Sequence, residues 1–281
     1  MRQTHPAIRR FLASPSGVVG GALILILLAI AVLTPWVNPY DLTSERNYAL
    51  RLAAPSLEHF FGADGLGRDI LTLVSYGLGT SLIISLGSVA LGLLIGVSLG
   101  LIGGYFRGWV DALVSWLTDV MLAFPSILLA IAVVTVTGPS LWAVTFAVGL
   151  VQIPRFIRLT RGMVLSVREK EFVQAAKASG AGAGRIMLRH ILPASLGPII
   201  VQATLGLGTA TLEAAGLGFL GLGAQPPNPE LGTMLSDAFK GGYSFSAPWT
   251  IIFPGLMITT MVMAFNLLGD GLQAVLNPQT Q

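Results

Sequence analysis

Side chains that could perform covalent or metal chemistry are sparse in this sequence. There is no cysteine, and His5, His59 and His190 are too far apart to form a metal-binding motif. No phosphate-binding loop ending in Gly-Lys-Ser/Thr occurs, and no zinc-protease or serine-hydrolase motif is present. The sequence therefore predicts a protein that is not an enzyme, that binds no cofactor or metal of its own, and that draws any energy from a partner or an ion.

The most conspicuous ionisable residues are two carboxylates inside apolar stretches, Asp119 and Glu213. A charge at the centre of a bilayer costs about 2.5–3.5 kcal/mol on insertion scales, so each should face protein or water. Both are candidates for a translocation path, and Glu213 could contact a peptide amino terminus. The alternative is a structural bond to a neighbouring helix, which is favoured for Asp119.

The composition indicates that these carboxylates are embedded in a membrane protein. The chain is 53% hydrophobic and 10% charged, with a mean hydropathy of +0.77, whereas soluble domains carry about 25% charged residues. A bilayer-spanning helix needs about 20 mostly apolar residues. Six segments satisfy this length, namely 18–37, 78–103, 113–136, 141–157, 196–222 and 249–268. Pro125 should kink the third, and Pro154 and Arg155 interrupt the end of the fourth.

The distribution of positive charge predicts the orientation. With the amino terminus inside, twelve of the sixteen Lys and Arg residues lie in cytoplasmic segments: Arg2, Arg9, Arg10, Arg107, Arg155, Arg158, Arg161, Arg168, Lys170, Lys177, Arg185 and Arg189. The excess follows the positive-inside rule and places both termini in the cytoplasm. Arg155, Arg158 and Arg161 share one helical face, for which contact with lipid phosphate is favoured over contact with a partner protein.

The domain organisation follows from these spans. Residues 1–37 form a cytoplasmic amino terminus and a retained anchor helix, and residues 38–77 form an outer loop. Residues 78–281 form the core, which contains a basic cytoplasmic loop at 158–194 and a second outer loop at 223–248. Met234, Phe239, Tyr243 and Phe245 in the second loop are expected to pack in the core, with contact to another subunit as the alternative.

The basic loop carries the most specific pattern. An Ala-rich segment leads to Gly180, a short amphipathic segment follows, and Pro193 precedes the fifth span. This order predicts a helix–turn–helix whose small residues allow another protein surface to approach. The motif consists of Gln174, Ala175, Ala176, Gly180, Leu192 and Pro193, with Arg185 and Arg189 between them.

The spacing of this loop resembles the Glu-Ala-Ala motif of ABC importer permeases, in which the loop forms a coupling helix that docks on an ATPase subunit. Gln174 replaces the leading Glu of the family, and His190 occupies a position that is usually Ile. The resemblance implies that Gln174, Ala175, Ala176, Gly180, Arg185, Arg189, Leu192 and Pro193 contact the ATPase. The alternative is an ordinary basic loop that lies near anionic lipid.

Further segments resemble the C-type permease of the dipeptide, oligopeptide and nickel group. They are the stretches at 61–69, 218–227, 231–235 and 264–272, in the order of the family. Within the first of them, Asp64, Arg68 and Asp69 could contact a substrate-binding protein, but a local ion pair that shapes the loop is favoured.

The resemblance implies an all-α membrane bundle with an anchor helix and a five-helix permease core, located in the inner membrane of a bacterium. It implies three kinds of protein partner: a homologous second permease, two ATP-binding subunits that hold ATP and Mg²⁺, and an extracytoplasmic binding protein. No nucleic-acid partner is expected. Dipeptides or oligopeptides are the expected solute, with nickel or glutathione as alternatives. An ion-coupled secondary transporter is the main rival, but it predicts inverted repeats, and none is evident.

Overall fold

The computed structural model describes residues 11–41 and 46–276. The helices in these ranges are linked by turns and loops. Arg2, Arg9 and Arg10, used above for orientation, lie outside the described residues. The helices are α1 (Pro15–Val37), α2 (Ile70–Phe106), α3 (Gly108–Leu122), α4 (Ser126–Thr137), α5 (Leu141–Val167), α6 (Glu171–Ala178), α7 (Ala183–Ile186), α8 (Leu192–Phe219), α9 (Leu231–Lys240) and α10 (Trp249–Leu276). The predicted all-α fold is confirmed.

Five helical stretches in the described chain are long and apolar enough to cross a bilayer, and α3 with α4 forms a sixth candidate that is bent by 89°. The bend lies at Ala123–Pro125, where Pro125 adopts an extended conformation. Proline lacks an N–H and disfavours helical geometry in the residue before it, so the helix stops there. The third candidate span is therefore a sharply bent pair of helices, which agrees with the kink expected at Pro125 within 113–136.

The spanning helices extend beyond the predicted apolar segments. Helix α2 begins at Ile70, where the Asp69 carboxylate caps it by accepting a hydrogen bond from the Thr72 N–H at 2.8 Å. Helix α5 continues through Pro154 to Val167. Its 27 residues correspond to about 40 Å, which exceeds a hydrocarbon core of about 30 Å. Its last turns can therefore carry arginines beyond the apolar layer.

The core of the fold is the contact between α2 and α5, which depends on glycines at every fourth position of α2. A Cβ added to Gly92, Gly96, Gly100 or Gly104 would lie 2.5–2.8 Å from a Cβ on α5. Small residues at helix interfaces in membranes allow the backbones to approach this closely. The α2 glycines therefore allow close packing of α2 on α5, and the two helices form a frame for the polar groups of α5.

The anchor helix α1 packs against α10, where Gly17 and Gly20 face the backbone of Gly271 and Leu268. Helix α9 lies across the ends of α8 and α10 on the side expected to be outer. Most of α1 remains exposed within the chain, as expected for a helix that faces lipid.

Candidate coupling loop and polar clusters

The helix–turn–helix predicted between the fourth and fifth spans is present. Helix α6 ends at Ala178, and Gly180, two residues later, has a φ of +78°, a left-handed conformation that glycine adopts without strain. The Ala181 N–H donates to the Ala176 oxygen at 3.1 Å, and the Gly180 N–H donates to the Lys177 oxygen at 3.0 Å. Val173 and Ile186 are buried and fix the two short helices to the rest of the chain.

The motif residues lie largely on the surface of this loop. Gln174, Ala175, Gly180, Arg185, Arg189 and Pro193 are exposed, and Ala176 and Leu192 are partly buried. An added Cβ at Gly180, Gly182 or Gly184 would meet no atom within 4 Å. Packing within the described chain therefore gives no reason for three glycines here, apart from the left-handed turn at Gly180.

Gln174, which replaces the glutamate of the family motif, has a defined local bond. Its Nε2 donates to the backbone oxygen of Arg168 at 2.9 Å, and Arg168 is the residue at which α5 ends. An ionised glutamate has no proton to donate to a carbonyl. The glutamine thus joins α6 to the end of α5 in a way that the usual residue could not.

The loop is joined to α8 by a segment of π-helix at Met187–Ile191. The Leu192 N–H bonds to the Met187 oxygen, five residues back, and Pro193 has no N–H with which to continue the regular ladder. Because α8 follows without a loop, movement of α7 would be transmitted directly to this spanning helix.

The three arginines on one face of α5 each pair with a carboxylate on another helix. Arg155 binds Glu213 of α8 at 3.0 Å, Arg158 binds Asp119 of α3 at 3.1 Å, and Arg161 binds Asp111 of α3 at 2.8 Å. The sequence did not indicate these ion pairs, and contact of the arginines with lipid phosphate stays a prediction. The preferred interpretation of Asp119, a structural bond to a neighbouring helix, agrees with its contact.

The Arg155–Glu213 pair belongs to a larger polar network between α5 and α8. The fully buried Gln152 donates to the Gly206 oxygen at 3.3 Å, and Arg155 donates to Gln152 and Thr209 at 3.1 and 3.2 Å. Helical side chains lean toward the amino terminus of their own helix. The antiparallel α5 and α8 therefore aim Arg155 and Glu213 at one another.

In the segment before α2, the acidic and basic residues shape the loop locally. Arg68 binds Asp64 at 2.7 Å, and the Asp64 carboxylate also accepts the N–H of Leu66 and of Arg68. Asp69 caps α2 and lies 3.2 Å from His59. These contacts agree with the favoured interpretation of a local ion pair at Asp64 and Arg68.

The four large side chains predicted to pack the second outer loop divide into two pairs. Met234 and Tyr243 are partly buried, and the Tyr243 ring lies against Gly65 and Gly241. Phe239 and Phe245 are 62% and 96% exposed, so core packing is wrong for these two. The alternative of contact with another subunit stays a prediction for them.

Glu230 is a buried carboxylate that the sequence patterns did not single out. It is 1% exposed and caps α9 by accepting hydrogen bonds from the Gly232 and Thr233 N–H groups at 2.8 Å. A Cβ at Gly218 would overlap its carboxylate, so glycine is required for this approach. Burial raises the pKa of Glu230 to about 7, opposed by the two N–H bonds.

This shift predicts a pH-dependent stability. The folded-state pKa of about 7 lies above the ordinary value of 4.5, so the protonated folded form is favoured. That stabilisation, of order 3 kcal/mol, is complete below pH 4.5 and is lost as the pH rises through 7. Thermal unfolding of the purified protein between pH 5 and 8 should show a melting temperature that falls less with pH in Glu230→Gln than in the wild type. The exposed control Glu58→Gln should retain the wild-type slope; equal slopes in all three proteins would contradict the assignment.

The elements described so far define a class: a multi-pass helical membrane protein in which an exposed helix–turn–helix connects directly to a spanning helix. Residues 92–281 match the family described as binding-protein-dependent transport system inner membrane component, and residues 3–55 match the N-terminal TM domain of oligopeptide transport permease C. The chain therefore belongs to the family of inner-membrane permeases of binding-protein-dependent ABC transport systems.

Individual relatives agree with this assignment. The chain is 50% identical to the dipeptide transport system permease protein DppC of Alkalihalophilus pseudofirmus, over 97% of this chain and 89% of that protein. It is 43% identical to DppC of Haemophilus influenzae, over 96% and 92%. It is also 43% identical to the glutathione transport system permease protein GsiD of Pectobacterium atrosepticum, over 96% and 89%.

The fold is also found in a solved transporter. An inward-facing structure of the MetNI methionine ABC transporter matches with a TM-score of 0.61 and 20% identity, over 73% of this chain and 97% of that chain. An identity this low supports the fold alone. The matched share is consistent with a permease core to which further segments of this chain are added.

Proposed function

We propose that this chain is one of two homologous permease subunits in an ATP-driven importer of dipeptides or short oligopeptides. Two ATP-binding subunits hold ATP and Mg²⁺, and a binding protein delivers the solute at the outer face. The names of relatives that are 43–50% identical support the solute class. The observation that carries the coupling role is the exposed loop with open space at Gly180, Gly182 and Gly184.

The proposed mechanism follows from how this loop is connected. The ATPase grips the loop 174–193, and its closure displaces α7. The π-helical segment passes the displacement to α8, which changes its packing on α5 near Arg155 and Glu213. Asp119 and Glu213 line the path as members of ion pairs, so that the charges remain compensated in each state. In this proposal both termini lie in the cytoplasm, on the same side as the loop.

Glutathione is the second candidate solute, because relatives of 43% identity carry that name. Both solute classes expose a free amino group and free carboxylates, so the same polar groups could serve either. The family resemblance also allows nickel as the solute, but the described residues contain no cluster of His, Cys, Asp or Glu that could hold a metal ion.

The deciding experiment uses the complete complex in proteoliposomes. We expect import of a labelled dipeptide that requires ATP and the binding protein, stops with vanadate, and is not displaced by excess glutathione. Import driven by an ion gradient and insensitive to vanadate would contradict the ABC mechanism. Displacement by glutathione, with direct glutathione import, would replace the dipeptide as the solute.

A further inference from the structure

A polar cleft lies on the side expected to be outer, between α9, the loop that follows α8, and the segment before α2. It consists of two adjoining cavities of about 220 and 450 Å³. The two cavities lie side by side, since both are lined by Arg68, Leu73, Met234, Asp237 and Lys240. The larger one alone is within the size range of small-molecule sites, about 300–1,000 Å³.

The cleft contains one acidic and one basic side chain, Asp237 and Lys240, that are accessible to solvent. Arg68 is paired with Asp64, but neither Asp237 nor Lys240 forms an ion pair within 4.0 Å with any described residue. Partial removal from water raises the pKa of the Asp237 carboxyl and the Asp64 charge adds to this effect, while Arg68 and Lys240 partly offset it. The Lys240 ammonium lies over Gly221, where a Cβ would be 2.8 Å from Nζ.

Two other polar side chains of the cleft, Ser236 and Gln225, have hydrogen-bonding groups without a partner among the described residues. Ser236 is 3% exposed, lines the smaller cavity, and its hydroxyl has no hydrogen-bond partner among the described residues. A buried hydroxyl without a hydrogen-bond partner destabilises the fold unless a ligand or water provides one. Gln225 directs its Nε2 to the Gly223 oxygen at 3.0 Å, and no described residue bonds to its carbonyl oxygen. A polar occupant would satisfy both groups.

We propose that this cleft is a binding site for a short peptide with free termini, in which Lys240 binds the carboxylate and Asp237 binds the ammonium group. This inference rests on the proposed peptide transport and adds a site on the permease itself. Arg68 strengthens the positive end without leaving Asp64, and Ser236 and Gln225 bond the peptide backbone. The solute would thus be held at the permease after it leaves the binding protein.

The test measures equilibrium binding of labelled Ala-Ala to the detergent-solubilised complex without its binding protein. We expect Lys240→Gln to weaken binding of Ala-Ala about tenfold, as for loss of one charge-assisted bond, and to leave binding of Ala-Ala-amide unchanged. Asp237→Asn should weaken binding of Ala-Ala but not of N-acetyl-Ala-Ala. The matched controls Lys170→Gln and Asp270→Asn remove the same charges at exposed positions outside the cleft and outside the loop 174–193, and they should bind Ala-Ala normally.

Three outcomes would overturn the site. The first is that the wild-type complex does not bind Ala-Ala at concentrations up to about 10 mM, which corresponds to a binding free energy weaker than about −3 kcal/mol. The second is that each variant weakens binding of its capped peptide as much as binding of Ala-Ala. The third is that the variants impair import only because the complex has a lower affinity for the binding protein. The last outcome would make the cleft a docking surface. If the wild-type complex imports dipeptides but the complex without its binding protein does not bind them, only this inference fails. If the wild type imports no peptide at all, the proposed function fails first.

Discussion

Replacing Gly182 with tryptophan is expected to abolish ATP-driven import without unfolding the permease. Gly182 has φ −67° and ψ 155°, which any residue adopts, and an added Cβ would have no neighbour within 4 Å. The isolated chain can therefore accommodate the indole ring. A bulky group in the centre of a docked interface removes the complementarity on which most of its binding energy depends, so import should fall by at least about tenfold.

The measurement compares import and ATP hydrolysis in the reconstituted complex, together with co-purification of the ATP-binding subunits. Gly255→Trp is the control, because Gly255 also faces open space but lies in α10, far from the loop in sequence. Gly180 is less suitable, since its positive φ would add backbone strain of about 1 kcal/mol to any effect at the interface. Normal import by Gly182→Trp would refute docking at this loop.

The helical spans could be predicted because hydropathy over about 20 residues reports directly on the bilayer. The ends of the helices could not be predicted in this way, because the backbone hydrogen bonds of a helix can continue after its run of apolar residues stops. Helix α5 passes through Pro154 and three arginines to Val167, and carboxylates on α3 and α8 compensate those charges. A sequence shows the charges but not their partners, which lie 39–58 residues away.

Two parts of the candidate sites differ in how well the sequence alone predicts them. The coupling loop was predictable because its pattern is contiguous and local. Glu230 was not, because its burial depends on Gly218 and Gly223, which approach it only after α8 and α9 have packed. For the same reason Asp237 and Lys240 resemble ordinary surface charges in the sequence, and only the cleft around them suggests otherwise.

The ion pair of Arg155 and Glu213 should be critical for both stability and import. Side-chain exposure is 33% for Arg155 and 13% for Glu213. Removing one partner of such a pair leaves a poorly solvated charge, at a cost of up to about 3 kcal/mol. Glu213→Leu and Arg155→Met should therefore each lower the melting temperature of the complex and its yield in the membrane.

The double variant Arg155→Met with Glu213→Leu separates a structural role from a role in the path. Replacing both charges with apolar groups is often neutral for stability, so the melting temperature should return close to that of the wild type. Import should not return, because the polar lining for the solute is gone. The control for stability is the double variant Arg158→Met with Asp119→Leu, whose members are 65% and 67% exposed. Separating such a pair costs at most about 1 kcal/mol, so its single and double variants should all melt close to the wild type.

The double variant can contradict the proposal in two distinct ways. If it is as unstable as the single variants, the two residues are not coupled, and the α5–α8 network does not depend on this contact. If it is stable and imports at the wild-type rate, the pair is purely structural and Glu213 does not line the path. Glu213 also has a second carboxylate oxygen that is buried without a hydrogen-bond partner in the described chain. The Ser126 side chain lies near the Glu213 carboxylate but forms no hydrogen bond of normal geometry with that oxygen. In the proposed path, a passing ammonium group would provide the donor.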